Sequence, residues 1–189
     1  MINDKTYIYT DGDGVCLDWL SGFINFCKNE GHIALHKEPE RFDMCDIFPS
    51  LINPSELIDS FQKSIFYDQI EAYSDAIEAF EIAKMKGANI TMITSCGESR
   101  HVINSRKRTV QRELAGLIDD IIFLPLGASK LSTLKKLPSG IFIEDQPKLA
   151  LEGVAAGHLS ILKSQSYNLN FSHDAVTRVN DLTFISHNL

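Results

Sequence analysis

The sequence predicts an α/β fold in which a central parallel sheet lies between two layers of helices. Short apolar segments of strand length alternate along the chain with segments of helical periodicity, the order typical of βαβ units. Polar or acidic residues directly follow several of the apolar segments, and ligands bind at that edge of open α/β sheets. The 189 residues are enough for one such domain with a small insertion.

The first predicted strand ends in a pair of aspartates. Residues 7–9 are β-forming without clean alternation, as in a strand that is buried on both faces. Asp11 and Asp13 follow, separated by Gly12, and an extended chain places both on the same side. Two carboxylates this close repel each other unless a proton or a cation such as Mg²⁺ intervenes. The alternative is a simple acidic turn, since Asp-Gly is a common turn dipeptide.

A helical insertion is predicted over residues 17–72. Apolar residues recur every three or four positions in residues 17–29, which indicates a helix that ends near Gly31. The pattern breaks down over residues 32–50, and Pro54 then begins a second helix. Residues 1–16 and 73–189 form the predicted core of the fold.

Residues 73–189 contain the remaining predicted strands. A helix capped by Ser74 or Asp75 precedes the second strand, and a helix over residues 147–156 precedes the fifth. The tail from Ser164 is polar, with a short apolar stretch over residues 182–185, and no strand is assigned to it. The predicted strands cover residues 88–94, 119–124, 140–143 and 159–162. The helix after the second strand carries a basic cluster that we expect to face solvent, namely Arg100, Arg106, Lys107, Arg108 and Arg112.

Residues suited to phosphate chemistry follow the first, second and fourth strands, and a lysine follows the third. Because the carboxyl ends of parallel strands meet at one edge of a sheet, we expect these side chains to converge. The set comprises Asp11 and Asp13, Thr94 and Ser95, Lys130, and Glu144 with Asp145.

Hydrolysis of a phosphate monoester through a covalent intermediate has a role for each of these groups. A carboxylate can attack phosphorus and form an aspartyl-phosphate, while Mg²⁺ and a lysine neutralise charge on the transferring phosphoryl oxygens. A hydroxyl with neighbouring backbone N–H groups orients the other oxygens. A second carboxyl group protonates the leaving alcohol and then activates water.

The order of the motifs DGDGV, ITMITS, GASK and IFIEDQP resembles that of the haloacid dehalogenase (HAD) superfamily of phosphatases and phosphotransferases. The resemblance implies that Asp11 is the nucleophile and Asp13 the general acid and base. It further implies that Thr94 orients the phosphate and that Lys130 is the stabilising cation.

The resemblance also implies a magnesium site. Its ligands would be the Asp11 carboxylate, the Asp13 backbone carbonyl and Asp145. Glu144 stands where a second aspartate is common in the superfamily, and we expect it to support Asp145 or a bound water.

Within the superfamily, the helical insertion resembles the small helical cap of the 5′(3′)-deoxyribonucleotidases. This resemblance implies that residues 17–72 are a cap inserted after the first strand and that residues 1–16 and 73–189 are the catalytic core. Trp19 stands at the position of an aromatic residue that stacks on the substrate's base, and Thr94-Ser95 matches a Thr-Ser pair. The tail segments Tyr167-Asn168 and 177–179 are also similar. The resemblance implies a small phosphorylated substrate, most plausibly a (deoxy)nucleoside monophosphate, bound by Trp19, Thr94, Ser95 and Lys130.

Alternatives to this interpretation remain open. A lone tryptophan on a helix is more often a core residue than a stacking residue, and this is the alternative role of Trp19. Another small metabolite such as a sugar phosphate is the alternative substrate. A phosphorylated receiver domain or a non-catalytic phosphate-binding module is the alternative class of protein. In a receiver, however, the acidic pair and the phosphoacceptor lie on different strands and no cap follows the first strand.

Bulk composition limits the partners and the location. The net charge of −7 argues against broad nucleic-acid binding. The four cysteines form no CxxC pair, which favours reduced thiols in a cytoplasmic protein. Cys16 and Cys96 flank the predicted site, so thiol modification is a possible route to inhibition. No signal peptide and no apolar run of ~20 residues is visible, so we expect no membrane association.

Overall fold

The computed structural model describes residues 6–36, 38–43, 46–48 and 54–188. These residues form one sheet of six strands, all parallel, in the order β3-β2-β1-β4-β5-β6. This arrangement confirms the predicted α/β class. The strands are β1 (Tyr7–Thr10), β2 (Asn89–Thr94), β3 (Asp120–Phe123), β4 (Ile141–Glu144), β5 (Leu159–Lys163) and β6 (Val176–Val179).

Helices fill most of the connections between the strands. Two of the N-termini follow from local sequence: the Asp18 carboxylate accepts the backbone N–H of Ser21 at the start of α1, and Pro147 occupies the first position of α7. The helices are α1 (Trp19–Asn29), α2 (Pro54–Gln62), α3 (Ile65–Asp68), α4 (Ser74–Met85), α5 (Arg100–Glu113), α6 (Leu131–Leu134), α7 (Pro147–Ala155) and α8 (Thr183–Asn188), with a short 3₁₀ helix at Ser166–Asn168.

The strand order explains why helices cover both faces of the sheet. The chain moves outward from β1 to β3 and then crosses to β4 and continues outward to β6, so right-handed crossovers place the two sets of helices on opposite faces. Alternation along β1 agrees with this arrangement. Ile8 joins the core beneath α4, whereas Tyr9 packs with Leu134 of α6 on the other face.

Helices α1, α2 and α3 pack against one another around an aromatic cluster. Phe61 of α2 is fully buried and lies edge-on to Trp19 and Phe23 of α1 and to Tyr67 of α3. These helices occupy the chain between β1 and α4, where the cap is predicted. The boundary of the cap at residues 17–72 remains a prediction.

The structure differs from the sequence predictions at two places. The tail, to which no strand is assigned from the sequence, contains a regular strand, β6, which pairs with β5 although its residues show little alternation. Tyr73, not Ser74 or Asp75, is the residue before α4. The Asp75 carboxylate instead accepts the Lys163 ammonium at 2.9 Å and the Leu182 backbone N–H at 3.0 Å, and so ties α4 to the tail.

Among the described residues, no helix is both long enough and apolar enough to cross a bilayer. The cysteines Cys16, Cys27 and Cys96 are free thiols. Cys45, the fourth cysteine, lies outside the described residues.

Candidate active site

One cavity of about 400 Å³ opens at the carboxyl ends of the central strands. The strand order reverses between β1 and β4, so the loops after these two strands diverge and leave a crevice. Apart from Glu144, which lies buried behind Lys130, every residue that the sequence predicts for the site lines this cavity. They are Asp11, Asp13, Trp19, Thr94, Ser95, Lys130 and Asp145.

Asp11 and Lys130 form a buried ion pair at the floor of the cavity. The Lys130 ammonium lies 2.7 Å from Asp11 Oδ1 and donates to Glu144 Oε2 at 2.8 Å. Lys130 is fully buried, whereas Lys135 and Lys136 of the same segment are exposed. Burial raises the pKa of Asp11 to about 7, although Lys130 opposes the rise. The two neighbouring carboxylates raise the pKa of Lys130 against the effect of its burial, so this side chain stays charged.

Glu144 supports this arrangement from below. Its Oε1 atom accepts the backbone N–H groups of Asp145 at 3.1 Å and of Gln146 at 3.2 Å, while Oε2 accepts Lys130. The glutamate therefore holds both the lysine and the turn that follows β4. This observation agrees with the expected supporting role of Glu144.

Asp145 has one occupied and one open carboxylate oxygen. Its Oδ2 atom accepts the Tyr167 hydroxyl, while Oδ1 is buried and has no hydrogen-bond partner among the described residues. Burial, with Glu144 alongside, raises the pKa of Asp145 well above its ordinary value. An unpartnered buried carboxylate oxygen is costly unless a cation binds it.

The donor set fits a hard divalent cation. Asp11, Glu144 and Asp145 each offer one carboxylate oxygen, and these atoms lie within 4.8 Å of one another. Oxygen donors from carboxylates are what Mg²⁺ binds. The Asp13 backbone carbonyl, the third ligand that the resemblance implies, remains a prediction.

Asp13 is held by an arginine that the sequence analysis assigned to solvent. Arg106 Nη2 donates to Asp13 Oδ1 at 2.6 Å and to Oδ2 at 2.7 Å, and it also donates to the Tyr67 hydroxyl at 2.8 Å. Arg106 is 1% exposed, so the predicted solvated face is wrong at this position. The close Asp13 carboxylate raises the pKa of Arg106 despite its burial.

A signal for the burial of Arg106 was present in the sequence. The buried residues of α5 recur at helical spacing, and the arginine falls in the middle of this stripe. Two of the other members are valines and two carry hydroxyl groups, so the stripe is only partly apolar, and a charged residue on it requires a buried partner. The stripe consists of Val102, Ser105, Arg106, Thr109 and Val110.

Thr94 and Ser95 end β2 at the cavity. Thr94 is 1% exposed, and the Ser95 hydroxyl donates to the Ala128 carbonyl at 3.3 Å. The backbone of Gly12 passes close by: a Cβ atom at Gly12 would lie 3.4 Å from Thr94 Oγ1. The Thr94 hydroxyl thus lies beside the loop that carries both aspartates.

Trp19 lies between the aromatic cluster and the cavity. Its ring stacks on Phe23 at a centroid distance of 4.9 Å, and it also lines the cavity. The structure thus gives Trp19 both a packing contact and access to the site. Other apolar residues of the cavity wall are Leu20, Phe42, Ile58, Leu126 and Leu149.

The comparisons with known proteins agree on the fold. A haloacid dehalogenase-like family hydrolase from Streptococcus pneumoniae is similar with a TM-score of 0.66 at 15% identity, covering 98% of this chain and 99% of that one. A Bacillus subtilis protein described as a HAD hydrolase bound to magnesium has a TM-score of 0.63 at 10% identity, with 98% of each chain covered. A Lactobacillus delbrueckii protein described as a phosphoglycolate phosphatase has a TM-score of 0.63 at 11% identity, with 97% of each chain covered. The chain therefore has the fold of HAD-superfamily hydrolases.

Comparison by sequence is less informative. An uncharacterized 32.4 kDa protein of Enterobacteria phage T4 is 28% identical over 142 residues, which are 70% of this chain. The chain spans about half, 49%, of the length of that relative. No protein-family model matches the chain.

Proposed function

We propose that the protein is a magnesium-dependent phosphomonoester hydrolase that acts through an aspartyl-phosphate on Asp11. The observation that carries this proposal is the convergence of Asp11, Lys130 and Asp145 on one cavity, with the Lys130 ammonium 2.7 Å from the Asp11 carboxylate. The HAD-like fold of the chain supports it, as does the similarity to the Lactobacillus delbrueckii protein described as a phosphoglycolate phosphatase.

In the proposed first step, an Asp11 oxygen attacks phosphorus and the bond to the leaving alcohol breaks. Asp13 gives a proton to the departing oxygen, so that the alcohol leaves neutral. Lys130 and Thr94 bind the phosphoryl oxygens, and the lysine lowers the repulsion between the phosphate and the attacking carboxylate.

In the second step, Asp13 takes a proton from water, whose oxygen attacks the phosphorus of the phosphoenzyme. The bond between phosphorus and Asp11 breaks, inorganic phosphate leaves and the carboxylate is regenerated. Magnesium held by Asp11 and Asp145 would neutralise charge on the phosphoryl group. Arg106 keeps the Asp13 carboxylate at the edge of the cavity through two short contacts.

The cavity wall favours a substrate with a flat apolar group. Trp19, Leu20 and Ile58 line the side formed by the helices between β1 and α4, and Phe42 adds a second aromatic ring. A nucleobase buries such surface and stacks on tryptophan, whereas a sugar phosphate presents mostly hydroxyls that need polar partners. We therefore propose (deoxy)nucleoside monophosphates as the substrate, with a sugar phosphate as the second candidate. A cytoplasmic location remains a prediction.

Release of inorganic phosphate tests the proposal. The purified protein is incubated with Mg²⁺ and with p-nitrophenyl phosphate, a panel of nucleoside monophosphates and a panel of sugar phosphates. We expect turnover that EDTA abolishes, with the highest kcat/KM for nucleotides. Absence of turnover on every substrate would contradict an enzymatic function and favour a phosphate-binding module. Preference for sugar phosphates would support the proposed hydrolase mechanism but contradict the proposed nucleotide substrate.

A further inference from the structure

The segment after β5 reaches back from the edge of the sheet to the carboxylate cluster. Its 3₁₀ helix, Ser166–Asn168, places Tyr167 so that its hydroxyl donates to Asp145 Oδ2. Asn168 Nδ2 donates to the Asp145 backbone carbonyl at 2.7 Å and to the Lys163 carbonyl at 2.8 Å. Both the side chain and the backbone of Asp145 are therefore held by the tail.

Arg178 of β6 in turn holds the 3₁₀ helix. Its Nη1 atom donates to Asn168 Oδ1 at 2.9 Å and to Ser164 Oγ at 3.2 Å, while Nη2 donates to the Asn168 backbone carbonyl at 2.8 Å. Asn168 is 2% exposed, whereas Arg178 is half-buried. A bidentate guanidinium contact is a rigid support, since its fork geometry is already organised.

The loop after β1 leaves space for this contact. Gly14 has φ +74°, and a Cβ atom at this position would lie 2.8 Å from the Tyr167 hydroxyl and still closer to the Asp145 carboxylate. The glycine is therefore needed both for its backbone conformation and for the close approach of Tyr167 and Asp145.

We propose that Tyr167 and Arg178 are positioning residues that select Oδ1 of Asp145 as the metal-binding oxygen. This inference rests on the proposed magnesium site. Tyr167 occupies Oδ2 and so leaves Oδ1, which is buried and without a partner among the described residues, to bind the cation. Groups that orient metal ligands in this way typically contribute about 10–100-fold to metal affinity.

The chain of contacts from Arg178 through the 3₁₀ helix to Asp145, which we call the relay, should affect the affinities for Mg²⁺ and Ca²⁺ differently. Mg²⁺ requires near-octahedral geometry with short bonds, whereas Ca²⁺ accepts irregular and bidentate carboxylates. Without the Tyr167 hydroxyl, Asp145 can rotate or bind through both oxygens. Loss of the relay should therefore weaken Mg²⁺ more than Ca²⁺, which a merely structural role of Tyr167 would not produce.

The test is titration calorimetry of the full-length protein with Mg²⁺ and with Ca²⁺. We expect Tyr167→Phe to weaken Mg²⁺ binding by about 10–100-fold and Ca²⁺ binding by less. Arg178→Lys should shift the ratio in the same direction. Tyr9→Phe is the matched control, because it removes another tyrosine hydroxyl, one that donates to the Pro138 carbonyl instead of to a carboxylate. Circular dichroism confirms that each variant is folded.

The outcomes separate this inference from the proposed function. Wild type that binds no Mg²⁺, or Asp145→Asn that binds it unchanged, contradicts the metal site itself. If wild type binds Mg²⁺ and Asp145→Asn does not, while Tyr167→Phe leaves Mg²⁺ affinity unchanged or higher, only the relay is wrong. Equal weakening of Mg²⁺ and Ca²⁺ also overturns it.

Discussion

Arg106 Nη2 lies 2.6 Å and 2.7 Å from the two carboxylate oxygens of Asp13, although the two residues are 93 positions apart in the chain. The partners differ in burial: the arginine side chain is 1% exposed and the aspartate side chain 30% exposed. Two other guanidinium nitrogens, Nε and Nη1, are buried without a partner among the described residues. The charge of Arg106 therefore depends on Asp13 for compensation.

This asymmetry predicts unequal costs when either partner is removed. Asp13→Ala leaves a buried guanidinium uncompensated, and we expect it to lower the free energy of unfolding by about 3–5 kcal/mol. Arg106→Met should lower it by less, because water can reach the remaining carboxylate. Urea denaturation measures both, and the double variant should lose less than the sum of the single variants. If the two single variants lost the same free energy of unfolding and the double variant lost their sum, the two residues would not be energetically coupled.

The proposed covalent mechanism assigns different steps to the two aspartates. Asp11→Asn should abolish turnover, since an amide is a poor nucleophile. Asp13→Asn keeps a carbonyl oxygen for Arg106 but cannot take a proton from water, so the phosphoenzyme should accumulate. Acid quenching after incubation with a ³²P-labelled substrate detects the acid-stable protein-bound label. Turnover by Asp11→Asn at the wild-type rate would show that Asp11 is not the nucleophile.

The raised pKa of Asp11, about 7, predicts how metal binding depends on pH. Mg²⁺ competes with the proton on this carboxyl group, so its affinity should rise by up to about tenfold per pH unit below pH 7 and level off above. Without metal, the pKa of Asp11 is about 7 in the folded protein and near 3.8 in the unfolded chain, so protonation of Asp11 favours the folded state. This contribution to the free energy of unfolding is fully present below pH 3.8 and is lost as the pH rises through 7.

Thermal unfolding with and without Mg²⁺ at pH 5.5, 7 and 8.5 measures this effect. The rise in Tm caused by the metal should be largest at pH 8.5. Asp59→Asn, which changes an exposed carboxylate paired with Lys63, is the control and should respond as wild type does. A metal effect that is independent of pH would show that Asp11 is not a ligand.

Trp19→Ala tests the nucleotide proposal. Base stacking on an aromatic side chain contributes about 1–3 kcal/mol, so the KM for a nucleoside monophosphate should rise by about tenfold, while that for p-nitrophenyl phosphate should change less. Trp19→Phe should retain most of the affinity. Equal changes for the two substrates would instead assign Trp19 to packing against Phe23.

Burial raises the pKa of the Cys16 thiol to about 12, so it stays protonated at pH 8 and should not react in the folded protein. Its Sγ atom also donates to the Asp11 carbonyl at 3.1 Å. Alkylation with iodoacetamide followed by peptide mass spectrometry should find Cys16 modified only in denaturant. Rapid modification of Cys16 in the native protein would contradict the expected protection of this thiol. It would instead support the sequence prediction that thiol modification inhibits the protein.

Much of the fold could be predicted because its signals are local. β1, β2, β4 and β5 are apolar segments followed by turn residues, and parallel pairing places their carboxyl ends at one edge. That rule brings Asp11, Thr94 and Asp145 together, and Lys130 joins them from the loop between β3 and α6. The tail was not predictable in this way, because β6 lies in a polar segment and its residues are partly exposed.

The sequence by itself determined the acidic pair after β1, the lysine after β3 and the acidic turn after β4, because each follows from residues that are neighbours in the chain. Only the tertiary structure decided what each carboxylate faces. Arg106 reaches Asp13 from α5, and Tyr167 reaches Asp145 from the tail. These contacts depend on how crossovers and helices pack over the sheet. An isolated polar residue in a sequence carries no information about the distant partner that its burial requires.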